Sequence, residues 1–278
     1  MAEMSDAQQR ETYLAVVSQT GPFSGVVYVD VLTDRWQQLN RISAAVSLDK
    51  RLIRRIAMNA LLPHEGYIPV ADGRVWYQII GTGPGIPLLA LHGGPGLGSA
   101  GLQPLAALAE DRPVVLYDQL GGGRSDRPDN PALWNITRFV AELATVRAAL
   151  GLAQVHIFGH SYGTILAAEY ALFQPSGLQS LILSGPVMSV PRYFSDVNRQ
   201  KQELPIKMQE AIEWNEAAGT FDAPEYQNAS LGVDAPAFCR NEAILATMLE
   251  EFGDPVTGIN PQVYNTMWGP SEFWITVT

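Results

Sequence analysis

Three times in the middle of this chain a short apolar run empties into glycines: LLALHGGPG at 88–96, VVLYDQLGGGRSD at 114–126 and VHIFGHSYG at 155–163. Apolar runs of this length with no polar alternation read as strands buried on both faces, the habit of parallel sheets. A parallel sheet needs crossovers, and the intervening segments supply them. LQPLAALAED (102–111) is weakly helical. TRFVAELATVRAALG (137–151) puts Phe139, Leu143, Val146 and Leu150 on one face and stops at Gly151, and TILAAEYALF (164–173) reads as a further helix before the strand-like LQSLILSGP (178–186). Ahead of them, GYIPV and RVWYQIIG flank an Asp72–Gly73 turn and predict a hairpin. Strands alternating with helices predict an α/β fold, a mostly parallel sheet with helices on both faces.

In such sheets ligands gather at the carboxyl ends of the strands, so the three glycine turns are expected to converge. One of them, Gly159-His160-Ser161-Tyr162-Gly163, has the G-x-S-x-G pattern with a strand before it and a helix after it. That context predicts a sharp turn that lifts the Ser161 hydroxyl above the sheet. A serine attacking a carbonyl also needs donors for the developing oxyanion. The backbone N–H of Tyr162 and an N–H in the HGGPG turn, where Gly94 lets the backbone approach closely, are the candidates. This chemistry calls for no metal and no cofactor.

Composition narrows the partners. With 18 Lys and Arg against 28 Asp and Glu the net charge is −10, which repels a polyanion at long range and disfavours nucleic acid. The single cysteine, Cys239, cannot form an intramolecular disulfide. The start MAEMSDAQQRE lacks the features of a secretory signal, and no apolar run is long enough to span a bilayer, so the expected compartment is cytoplasmic, without a membrane partner. The oligomeric state is not legible.

Residues 65–186 are expected to form the α/β core. In 187–272 the rhythm breaks: RQKQELPIKMQEAIEWNEAAG (199–219) and RNEAILATMLEEFG (240–253) read as helices separated by Pro-rich joints, a helical cap over the strand ends, with 273–278 returning to the core. Residues 1–64 form an N-terminal extension. It holds a strand-like SGVVYVDVL and a basic amphipathic run, DKRLIRRIAMNALL, read as a solvated helix packed on the domain.

LLALHGGPG, VVLYDQLGGGRSD and FGHSYG together resemble the α/β-hydrolase branch that contains prolyl iminopeptidases, tricorn-interacting aminopeptidases and related amino-acid amidases. EGYIPVADGRVWY (65–77) is similar to the start of that domain, and APEYQ (223–227), FCR (238–240) and WGPSEF (268–273) to landmarks of its cap, so the similarity spans roughly 65–278. The resemblance implies an α/β-hydrolase fold with a helical cap and a serine peptidase acting on a small peptide or amino-acid amide, releasing the N-terminal residue through an acyl-enzyme on Ser161, with proline as one candidate. It implies Tyr162 and Gly94 as oxyanion donors and Glu272 as the carboxylate that grips the substrate's free α-ammonium, with Glu225 the weaker candidate for a second. Two departures stand out. Gly122 occupies a position where the family commonly has cysteine, removing a packing side chain. SLGVDAPA (230–237) replaces the aromatic and histidine residues frequent ahead of FCR.

The fold carries its triad in the order Ser, acid, His, yet no histidine follows His160 in this sequence. His92 belongs to the oxyanion turn, His156 lies within a strand, and the side chain of His160 is directed away by its turn. His64, preceded by Asp30 and Asp34, could serve only if residues 1–64 supplied the missing strands as a circular permutation. The favoured expectation is a chain lacking the family's last strands with their Asp and His loops, inactive or nearly so alone, with an unpaired sheet edge. An esterase of the same fold and a non-catalytic hydrolase-like binding protein are the alternatives. An epoxide hydrolase would need a carboxylate where Ser161 stands.

Overall fold

A computed structural model describes residues 26–29, 64–238, 241–254, 258–271 and 275. Its centre is a seven-stranded sheet formed by β1 (Val26–Val29), β2 (Glu65–Val70), β3 (Gly73–Ile80), β4 (Leu88–Leu91), β5 (Val114–Tyr117), β6 (Val155–His160) and β7 (Leu178–Ser184), in the spatial order β1-β7-β6-β4-β5-β3-β2. Strands β5, β4, β6 and β7 are mutually parallel neighbours. Every residue of β4 and β5 is buried, as their unbroken apolar runs require. The β2–β3 hairpin adds antiparallel to β5, and Asp72 takes the left-handed conformation (φ 68°) its tight turn needs.

Helices α1 (Ile136–Ala149) and α2 (Tyr162–Leu172) cover one face of the sheet. Asn135 caps α1 by accepting from the Arg138 N–H, and Phe139, Leu143 and Val146 enter the main core beside Leu89, Leu91, Val115 and Ile157. Helix α2 is buried nearly all round, hence its lack of an apolar stripe. On the other face a 3-10 helix, Ala100–Leu108, packs Leu102 against Ala90, Val114 and Leu116, the alternate residues of the same strands.

Beyond β7 come α3 (Val190–Glu203), α4 (Ile206–Ala218), α5 (Pro224–Phe238), α6 (Glu242–Gly253) and α7 (Pro261–Met267). Helices α3 to α5 share a small core of their own around Val197, Ile212, Tyr226 and Ala229, with Lys201 of α3 paired to Glu216 of α4 at 3.5 Å. Helix α7 differs: Val263 and Met267 belong to the main core. Helix α5 also runs through the stretch expected to be a Pro-rich joint.

The expected bare edge at β7 is corrected. Strand β1 pairs antiparallel along it, Val26 opposite Ser184 and Val29 opposite Leu181. Local pattern marks VVYV as a strand, whereas its partner lies more than 150 residues away and is set by the free edge hydrogen bonds. The basic run 49–62 lies outside the described residues.

Candidate active site

Ser161 sits between β6 and α2 with φ 51° and ψ −122°, a conformation rare for any residue with a side chain. Both flanking glycines are required by space. A Cβ on Gly159 would stand 2.4 Å from the Gly163 carbonyl oxygen, and one on Gly163 would stand 2.3 Å from that of Leu91. The bend is held from both sides: the Ser161 N–H donates to Ser184 O at 3.0 Å, while Ser161 O accepts from the Thr164 N–H (2.9 Å) and Thr164 Oγ1 (2.6 Å). Among the described residues no side chain hydrogen-bonds to Ser161 Oγ. Tyr162, first residue of α2, has an N–H with no acceptor inside the helix.

The HGGPG turn packs directly on this bend, since a Cβ on Gly93 would lie 3.2 Å from Ser161 Cβ. Gly94 has φ 114°, open to glycine alone. His92 is buried and bridges two turns. Its Nδ1 lies 2.8 Å from Gly93 O and its Nε2 accepts the Gln119 N–H at 2.9 Å, so the neutral Nδ1–H tautomer satisfies both bonds. Burial lowers its pKa, in keeping with a neutral ring.

The DQLGGGRSD turn is the clamp. Buried Asp118 accepts from the Ser99 N–H and Oγ, each at 2.6 Å, and from the Arg124 N–H at 2.8 Å, tying the end of one glycine turn to the other. Ser125 Oγ donates to Asp118 O and accepts from the Trp76 N–H. At Gly122 the place of a Cβ is already taken: it would come within 1.9 Å of Leu97 O. A neighbouring carbonyl therefore stands where a side chain at position 122 would begin.

Beneath these turns Glu142 of α1 is buried. It accepts from the Leu120 N–H at 3.2 Å and pairs with Arg138 at 2.6 Å. Burial pushes its carboxyl up to about 7 against the opposing pull of Arg138. Its position three residues from Phe139 and next to Leu143, on the apolar side of α1, was the one signal in the sequence that it faces inward. Asp118, Gln119 and Glu142 are the site residues that sequence reasoning left unassigned.

The structure brings Ser161, Tyr162 and the Gly94 turn together. Glu272 lies outside the described residues. Glu225 is exposed in the first turn of α5. His156 bonds Ser180 Oγ at 2.7 Å along the sheet, away from the turns. His160 is solvent-accessible, with Nδ1 3.4 Å from the place of a Gly93 Cβ; crowding by neighbouring protein atoms lowers its pKa. The permuted triad is not supported. His64 is exposed at the start of β2, four strands from β6, about 19 Å at the usual strand spacing. Asp30 and Asp34 lie outside the described residues, and β1, which precedes them, runs away from the Ser161 end of the sheet. Among the described residues no cluster of His, Cys, Asp or Glu could hold a metal, and no helix is long and apolar enough to cross a membrane.

A serine on a positive-φ strand-to-helix bend, set against a second glycine turn at the carboxyl ends of a parallel sheet, defines the core of an α/β hydrolase. Residues 86–239 match the family described as alpha/beta hydrolase fold. The proline iminopeptidase of Heyndrickxia coagulans is 47% identical over 212 residues, 76% of this chain and 73% of that protein. That of Clostridium botulinum is 35% identical over 224 residues, 75% of this chain and 72% of the other. Among solved structures, VinJ (TM-score 0.68, 32% identity) and the proline iminopeptidase of Mycobacterium smegmatis (TM-score 0.61, 30% identity) each match 77% of this chain and 74% of their own. The chain belongs to the α/β-hydrolase family, in the branch of the proline iminopeptidases.

Proposed function

We propose that this protein is a serine aminopeptidase of the prolyl iminopeptidase type, releasing an N-terminal residue, with proline the first candidate, from small peptides or amino-acid amides. Ser161 Oγ attacks the carbonyl carbon, the carbonyl oxygen becomes an oxyanion facing the N–H groups of Gly94 and Tyr162, and collapse expels the amine and leaves an ester on Ser161 that water then hydrolyses. Glu272 balances the substrate's α-ammonium, since a carboxylate shielded from water pairs strongly with a cation and poorly with a neutral amide; Glu225, exposed on α5, is the weaker candidate. The observation that carries this reading is the closeness of the HGGPG turn to the Ser161 bend, where a Cβ on Gly93 would lie 3.2 Å from Ser161 Cβ.

Attack also needs a base to take the Ser161 proton, and no described histidine is bonded to Ser161 Oγ. The chain alone is therefore expected to turn over little beyond the residual catalysis of binding and the oxyanion donors. That same observation favours the second reading, a non-catalytic hydrolase-like binding protein. Assays on L-proline arylamide with the protein and with Ser161→Ala test both. A large rate abolished by the substitution overturns the missing-base argument, and the absence of any Ser161-dependent adduct with pyrrolidine-2-boronic acid overturns the hydrolase reading.

A further inference from the structure

Asn260 stands where three parts of the molecule meet. Its backbone N–H donates to Gly96 O at 2.9 Å, its Nδ2 donates to Gly121 O at 2.9 Å, and its Oδ1 accepts the Gln262 N–H at 3.0 Å as the N-cap of α7. Gly96 closes the HGGPG turn and Gly121 lies in the turn that carries Gln119, the donor to His92. Around Asn260 there is no slack. A Cβ on Gly96 would lie 3.0 Å from Asn260 O, and one on Gly121 would lie 2.7 Å from Val263 Cγ2. Gln262 secures the same segment from outside, accepting from Trp134 Nε1 at 2.9 Å and donating to Asp129 at 2.6 Å.

We propose that Asn260 is a positioning residue that locks the Gly93–Gly96 turn in register with Ser161: its backbone N–H holds that turn, and its side chain fixes Asn260 itself to the Gly121 turn and the start of α7. This rests on the hydrolase reading above. An oxyanion donor works only within a window about 0.4 Å wide, roughly 2.7–3.1 Å from the charged oxygen. The Gly94 N–H sits two residues from the carbonyl that Asn260 holds. Losing the Nδ2 bond to Gly121 O loosens the residue whose backbone holds Gly96, leaving Ser161 in place and misplacing its donor.

Asn260→Asp separates the roles. A carboxylate still accepts the Gln262 N–H and caps α7, yet it cannot donate to Gly121 O. The probes are pyrrolidine-2-boronic acid, whose boron takes the Ser161 oxygen while the serine proton leaves to solvent, giving a tetrahedral anion seated on the oxyanion donors, and L-prolinamide, which forms no such adduct. The variant is expected to bind the boronate about tenfold more weakly, the worth of one buried hydrogen bond, with L-prolinamide affinity unchanged. Hydrogen exchange, which needs no ligand, should be faster in segments 93–99 and 119–124 of the variant. Unchanged exchange in both segments overturns the proposal, and so does equal weakening of the two ligands, which marks a merely structural residue. Boronate binding that is indifferent to Ser161→Ala removes the hydrolase reading and this inference with it, whereas a Ser161-dependent adduct unaffected by Asn260→Asp removes this inference alone.

Discussion

Placing cysteine, the residue the family resemblance implies, at position 122 should harm this protein, although substitutions toward a family consensus usually stabilise. Gly122 is not in the left-handed region, so its backbone would accept a side chain; the obstacle is space. A Cβ would be 1.9 Å from Leu97 O and 3.0 Å from Leu97 C. An ordinary carbon–oxygen contact is about 3.3 Å, so the two glycine turns must part by more than 1 Å, against the Asp118 bonds that hold them. Overpacking of this kind costs about 1–3 kcal/mol. For a chain of this size, about 2 kcal/mol lowers Tm by roughly 4–8 °C. Gly122→Ala isolates the steric part and Gly122→Cys adds the thiol; both should lower the urea midpoint without changing the m-value. Gly101→Ala, where a Cβ meets nothing within 4 Å, is the control and should be neutral or slightly stabilising. A Gly122→Ala protein as stable as its parent would refute the reasoning.

Glu142 gives a pH test. Its folded pKa of about 7 lies above the ordinary 4.5, so the native state holds the proton more tightly and stability falls as pH rises between these values, by up to about 3 kcal/mol. Glu142→Gln keeps an acceptor for the Leu120 N–H and removes the titration, so its Tm should change less with pH from 4.5 to 7.5; parallel curves would contradict the burial. Arg147 donates to Leu152 O, Ala153 O, Ser176 O and Tyr170 Oη, joining the amino ends of β6 and β7 to α1 and α2. Arg147→Lys cannot reach all four acceptors and should cost about 2–4 kcal/mol in chemical denaturation. His92→Ala leaves the buried Gln119 N–H without its acceptor and should cost about 1–3 kcal/mol, with faster exchange at residues 93–99.

The strand ends and the Ser161 bend are legible because their signals are local. An apolar run followed by glycine needs no knowledge of the rest of the chain, and neither does the apolar face of α1 ending at Gly151. What escaped depends on distant partners. VVYV reads as a strand, yet its antiparallel seat on β7 follows from an open edge and leaves no local mark. The DQLGGGRSD motif carries no local sign of the Asp118 clamp, whose acceptor duties appear only when Ser99 and Arg124 come alongside. Helix α5 runs through Gly232 and Pro236, residues whose intrinsic preferences argue against a helix. Asn260 looks like an ordinary helix cap until Gly96 and Gly121 approach it.

Among the described residues α3 to α5 share a small core of their own, and with fewer sealed side chains than the sheet they are expected to be less stable than it. They are expected to melt first and to exchange their amides soonest. Helix α7, whose Val263 and Met267 are packed into the main core, is expected to hold its amides as long as the sheet does.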